Sequence, residues 1–152
     1  MYNKVVKKIR FSKIGFEELK KKLEDLKNQR PSAVLDLKKA RDMGDLSENG
    51  YYKAAKGKLS EIDRLLRNYA YEIKNAYVVL NIGNDKVGIG TKVELSNGTT
   101  FEIVGDMEAN PTDGKISLLS PLGRALENRE VGDVIELITP KGKVSYKITK
   151  IT

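Results

Sequence analysis

The sequence predicts an α+β protein in two parts. Residues 1–80 read as an antiparallel two-helix coiled coil and residues 81–152 as a small α+β domain, an antiparallel sheet with one short helix. Three observations carry this. Apolar or small residues step 3-4-3-4 through 16, 19, 23, 26, 33, 37 and 40, and again through 52, 55, 59, 62, 66, 69, 73 and 76, the spacing of a heptad seam. Folded as a hairpin, 40 with 52 and 16 with 76, every pair is centred on Leu46. Beyond residue 90 the apolar period changes to two, the period of a strand.

Ser12 is the N-cap expected for the first helix, which runs to about Met43. Pro31 lies inside it, and proline removes a backbone donor and clashes with the preceding turn, so a kink or short break is expected near 28–31. The seam keeps its register across Pro31, which favours the kink. Arg30 takes the one inward position that is not apolar and is expected to snorkel outward. The second helix is expected from about Glu48 to Val78. Gly57 within it costs roughly 1 kcal/mol relative to Ala but lies off the seam. Residues 16–40 alone would span about 36 Å at 1.5 Å per residue, so this half reads as a rod.

Residues 81–90, rich in Gly and Asn, form the linker. Thr91–Leu95 and Thr99–Val104 read as strands joined through Asn97-Gly98, a strong hairpin signal. Lys115–Leu119, Val134–Thr139 and Val144–Ile151 read as further strands, with Pro140 to Lys143 making the last turn. Ser120 and Pro121 supply an N-cap and an N1 proline for one short helix over 121–127.

Composition excludes much chemistry. The 152 residues include no cysteine and no histidine, which removes disulfides, thiolate zinc sites, His–metal sites and histidine acid–base catalysis. Carboxylates, lysine, tyrosine and hydroxyls remain. The N-terminus lacks an apolar run suited to a signal peptide and no window approaches a membrane span, so a cytoplasmic protein is expected. The net charge of +7 is uneven: residues 1–80 hold 19 Lys and Arg against 11 Asp and Glu, whereas residues 81–152 hold 9 against 10. A basic helical half suits a polyanion, although lysine-rich solvated helices share that composition.

The acids at 42–49 are the most informative group. Asp45 and Glu48 are three apart, with Asp42 one turn back. Magnesium often takes only one or two protein carboxylates and fills its remaining positions with water and phosphate. Two acids on an exposed tip are too few for a tight site and enough to complete a site supplied by a partner. The same residues fit a capping box, Asp45 as N-cap and Glu48 at N3. Arg41, Lys53 and Lys56 lie close by and could hold a nucleic-acid backbone. Tyr52 sits on the seam and reads as packing; Tyr51 points elsewhere and could stack on a base.

Residues 40–49, Ala-Arg-Asp-Met-Gly-Asp-Leu-Ser-Glu-Asn, followed by Tyr52-Lys-Ala-Ala-Lys56, resemble the signature of the GreA/GreB transcript cleavage factors, GreA most closely. Ser120-Pro-Leu-Gly-Arg-Ala-Leu126 with Val131-Gly-Asp133 resembles a second motif of that family, and the likeness runs from Ser12 to Ile151. The resemblance implies a coiled-coil arm that enters the secondary channel of bacterial RNA polymerase and an FKBP-like domain that docks at the channel rim. It implies that Asp45 and Glu48 are the catalytic acids, helping to position a Mg2+ ion and water in the polymerase's own site, so that backtracked nascent RNA is cleaved. It carries the family's basic tip residues to Arg41 and Lys56, and it suggests polymerase docking through Ser120, Pro121, Leu122, Gly123 and Arg124. Pro121 and Leu122 fit a core role equally well. Where the family usually has Ala-Glu after the asparagine, this chain has Gly50-Tyr51.

On this reading the protein is a catalytic accessory, a monomer with no membrane partner and no tight magnesium site of its own. An alternative is a secondary-channel regulator without cleavage activity. A prolyl isomerase is suggested only by the implied fold, and Phe101 and Tyr146 are the only aromatic residues in the second half to line a proline pocket.

Overall fold

The computed structural model describes residues 7–44, 48–81 and 85–152. The chain forms two compact units, Glu17–Asn75 and a second built from residues up to Phe16 together with Ala76–Thr152. The sequence reading drew a single boundary at 80/81.

In the helical unit, α1 (Lys13–Arg41) and α2 (Gly50–Lys74) realise the two seams. Within residues 17–41 the side chains withdrawn from solvent are those of Leu19, Leu23, Leu26, Ala33, Leu37 and Ala40, all seam positions. On α2 every seam residue from Tyr52 to Ile73 is at least half-buried, and Ile62 is fully so. Helix α1 is continuous through Pro31, so the chain does not break at 28–31. Pro31 lies on the exposed face, and the apolar contacts on either side hold the register across the missing donor. Arg30 does snorkel: its Nε and Nη2 donate to the two carboxylate oxygens of Asp63 at 2.7 and 3.3 Å, a bidentate pair linking α1 to α2.

The second helix ends four residues before the expected Val78. Asn75 stops it, with both its backbone N–H and its side-chain amide donating to the Tyr71 carbonyl, at 3.1 and 2.8 Å. Residues Ala76–Val78 are instead strand β2, paired in parallel with β1 (Ile9–Phe11) in the register Ile9↔Ala76 and Phe11↔Val78. Ala76 satisfies the heptad step, which is why spacing alone extends the helix across it.

The sheet unit contains β3 (Lys92–Leu95), β4 (Thr100–Val104), β5 (Lys115–Ser117), α3 (Pro121–Leu126), β6 (Val134–Thr139) and β7 (Gly142–Ile151). Strand order is β5-β4-β3-β7-β6. Pairing is antiparallel from β4 to β6, as expected, but β5 joins β4 in parallel. A parallel neighbour needs a crossover, not a tight turn, and residues 105–114 provide it. The Asn97-Gly98 turn forms as the dipeptide predicts, with Gly98 at φ +81° and Asn97 Oδ1 accepting from Thr99 N–H. Alternating side chains from the strands meet α3 in a core where Val93, Leu95, Ile103, Leu126, Ile135 and Ile148 are almost fully buried.

The β1 segment is tied to this unit by two carboxylates. Asp106 accepts from the Arg10 backbone N–H at 2.8 Å and pairs with its guanidinium at 2.9 Å. Glu108 accepts from the Ser12 N–H at 2.8 Å and from its hydroxyl, while Ser12 Oγ caps α1 by accepting from Gly15 N–H. The expected N-cap therefore forms, and the same hydroxyl joins the helix start to the 105–108 loop.

Candidate functional site

The turn between α1 and α2 is built from opposed helix ends. Lys38, Lys39 and Arg41 occupy the last turn of α1, where cations meet the negative end of the helix dipole. Asp42 and Met43 continue as a turn, and Gly44 adopts φ +121°, a conformation that glycine tolerates best. Asp45, named as a catalytic and metal-binding acid, lies outside the described residues, as do Leu46 and Ser47.

Helix α2 begins two residues later than the sequence suggests, and Asp45 is not its cap. The N-cap is Asn49, whose Oδ1 accepts from Tyr52 N–H at 3.1 Å. Its amide nitrogen donates to the Ala40 carbonyl at 2.8 Å, so one side chain caps α2 and satisfies an end carbonyl of α1. Glu48 consequently precedes the cap, outside the helix and exposed. The physical reason lies in the donor set: Asn49 offers an acceptor to α2 and a donor to α1 at once, which a carboxylate with no donor cannot do.

The cations gather around Tyr52. This ring is half-buried on the seam, with the Arg41 guanidinium 5.9 Å and the Lys56 ammonium 6.0 Å from its centroid, both within cation–π range. Lys53 is exposed on the same first turns of α2. Tyr52 thus packs, as its seam position indicates, and also positions two of the three basic residues. Among the described residues no three or more acids gather as a metal site.

Farther along α2, two carboxylates respond to opposite environments. The Arg30 hydrogen bonds, and secondarily its charge, hold Asp63 below the usual carboxylate range. Burial pushes Glu72 above it, and the nearby Lys22 opposes that shift only in part.

The second motif forms α3. Ser120 is its N-cap, accepting from Gly123 N–H at 3.0 Å, and Pro121 opens the helix. Pro121 and Arg124 are exposed, whereas Leu122 packs on the core and Gly123 is buried. A Cβ on Gly123 would overlap the Ser117 carbonyl oxygen and approach Leu118 Cα to 2.8 Å. Of the five residues proposed for docking, then, Pro121 and Arg124 present themselves to solvent. Leu122 and Gly123 seat the helix on the sheet.

Comparison with known proteins resolves the kinship. The family profile described as "Transcription elongation factor, N-terminal" matches residues 9–78, and the one described as "Transcription elongation factor, GreA/GreB, C-term" matches residues 82–152. The chain belongs to the GreA/GreB family of transcription elongation factors. GreA of Nautilia profundicola is 41% identical over 148 residues, covering 92% of this chain and 91% of the relative. GreA of Solidesulfovibrio magneticus is 37% identical over 145 residues, covering 90% and 88%. Among solved structures, GreA factor homolog 1 of Thermus thermophilus aligns at 29% identity with a TM-score of 0.46, covering 95% of this chain and 99% of that one.

For a GreA/GreB family member, the residue that sequence reasoning missed at the turn is Asn49. It was quoted in the family motif and given no role. The signal was available, because asparagine is among the best N-caps and Tyr52, the first seam residue, stands three positions on. Asp63 was missed as the partner of Arg30; it falls next to the seam position facing Arg30.

Proposed function

We propose that this GreA/GreB family member is a transcript cleavage factor. Its helical hairpin enters the secondary channel of bacterial RNA polymerase and stimulates Mg2+-dependent cleavage of backtracked nascent RNA, which returns arrested complexes to elongation. Family membership supports the elongation-factor part of this reading. The observation that carries the finer part is the Asn49 cap. Because an amide closes α2, Glu48 stands exposed outside the helix and has no capping bond to surrender before it meets a cation. Asp45 joins it by the family motif.

Exposed carboxylates are suitable oxygen donors for a hard cation that keeps most of its water. Such an ion supplies charge stabilisation and a polarised water at a phosphodiester. Glu48 and Asp45 would orient it. Arg41 and Lys56, fixed against Tyr52, and the neighbouring Lys53 would hold RNA phosphate. Two carboxylates without histidine or cysteine cannot fix metals unaided, so the polymerase provides the remaining ligands and the chain acts as an accessory. Exposed Pro121 and Arg124 suit a role in docking to the polymerase.

The test adds purified protein to stalled, backtracked complexes and follows the RNA. Cleavage should accelerate, and Asp45→Asn or Glu48→Gln should each reduce the stimulation by on the order of 10²-fold, the scale for loss of one group that stabilises developing charge. Competition binding to polymerase should persist. Undiminished stimulation by the double variant would remove the turn acids from the mechanism. Polymerase binding with altered initiation and no cleavage would favour the regulator without cleavage activity.

A further inference from the structure

Beside the turn, α1 and α2 enclose an open groove of about 350 Å³. Small side chains, Ala40 and Ala55 among them, leave the space, and Met43 and Tyr51 border it with 65% and 72% of their surfaces exposed. Lys39 and Lys58 stand at the same groove. Tyr51, in the first turn of α2, presents a flat and largely exposed aromatic face there.

This combination is chemically selective. An aromatic ring beside cations is the arrangement that binds single-stranded nucleic acid, because every base has a face to stack and every linkage a phosphate to neutralise. The volume lies at the small end of the ~300–1,000 Å³ range of ligand pockets, which suits one nucleotide. Residues 1–80 carry 19 basic against 11 acidic side chains, complementary to a polyanion.

We propose that this groove receives an unpaired base of the extruded RNA, stacked on Tyr51 and flanked by Met43, with the adjoining phosphates against Lys39 and Lys58. The inference rests on the cleavage-factor reading and deepens it: Tyr51 is a positioning residue that sets where the RNA strand lies relative to the turn acids. One acid, Asp36, also lines the groove and can accept from a base amino group.

The experiment uses backtracked complexes whose RNA carries 4-thiouridine in the extruded segment, with wild-type protein, Tyr51→Ala and Tyr51→Phe. Photocrosslinks should map to Tyr51 or Met43. Tyr51→Ala should lose the crosslink and slow cleavage at saturating protein by about tenfold, the scale of one lost base stack. Tyr51→Phe should retain both. Crosslinks that map elsewhere, or a wild-type rate in Tyr51→Ala, would overturn the groove while leaving the cleavage activity intact. So would weakened polymerase binding by Tyr51→Ala, which would make the groove a protein-docking surface. The Asp45→Asn variant separates the two readings, since it should reduce the stimulation of cleavage by on the order of 10²-fold and keep the crosslink; wild-type cleavage by that variant would fault the turn acids alone.

Discussion

Asn49 shows how one side chain frees another. By closing α2 with its carbonyl oxygen and α1 with its amide, it takes the capping work that acids usually do at a helix start. Asn49→Ala should cost about 1 kcal/mol, lowering the melting temperature by roughly 2–4 °C for a protein of this size. Asn49→Asp keeps the acceptor and loses the donor, so it should melt between the two; a melt equal to wild type would show that the bond to the Ala40 carbonyl contributes nothing. Gly123 is a second residue whose role is backbone approach. Gly123→Ala must displace the Ser117–Leu118 backbone, a strain of about 1–3 kcal/mol, visible as a lower denaturant midpoint with the urea slope unchanged. An unaltered midpoint would mean that α3 shifts freely on the sheet.

At the scale of elements, the hairpin is held by a narrow apolar seam and adjusted by charges along its flank. Asp63 has a folded-state pKa below its unfolded value, so its contribution to stability is present above the ordinary carboxylate pKa and is lost as pH falls through the lowered one. Glu72 has the opposite sign: its folded-state pKa is raised, so stability is fullest below the ordinary value and declines as pH rises through the raised one. Thermal melts from pH 3 to 7 should therefore show Asp63→Asn flattening the acid limb. Glu72→Gln should raise stability at neutral pH relative to pH 4. The Asp63 effect should be small and fade in high salt because the pair is solvent-accessible. A salt-insensitive acid limb would assign it to another group.

At the scale of the whole molecule, the two family profiles meet across residues 79–81, yet the compact units divide elsewhere. The sheet unit includes β1 and the residues through Phe16, with Phe11 only 2% exposed and Asp106 and Glu108 bound to Arg10 and Ser12. A fragment begun at residue 81 would lose these contacts. Removing the buried Phe11 alone should cost about 2 kcal/mol, and a domain of this length should melt about 10 °C lower than the same unit in the intact chain. Calorimetry of the fragment beside the full protein reads this directly, and coincident transitions would show β1 to be dispensable.

Sequence alone determined the helical seams, because a 3-4 repeat of apolar residues has one low-energy way to hide, and helix periodicity is local. It likewise determined most strand positions, the Asn97-Gly98 turn and the Ser120–Pro121 helix start, since each depends on the preferences of adjacent residues. It also carried the family motif around Asp45 and Glu48. Tertiary structure decided what depends on distant partners. A short strand such as β2 has no periodicity to distinguish it from a helix end, and only its pairing with β1, more than sixty residues away, makes it a strand. The cap at Asn49 was decided the same way: its second hydrogen bond goes to the other helix, and that bond leaves Glu48 exposed ahead of the helix.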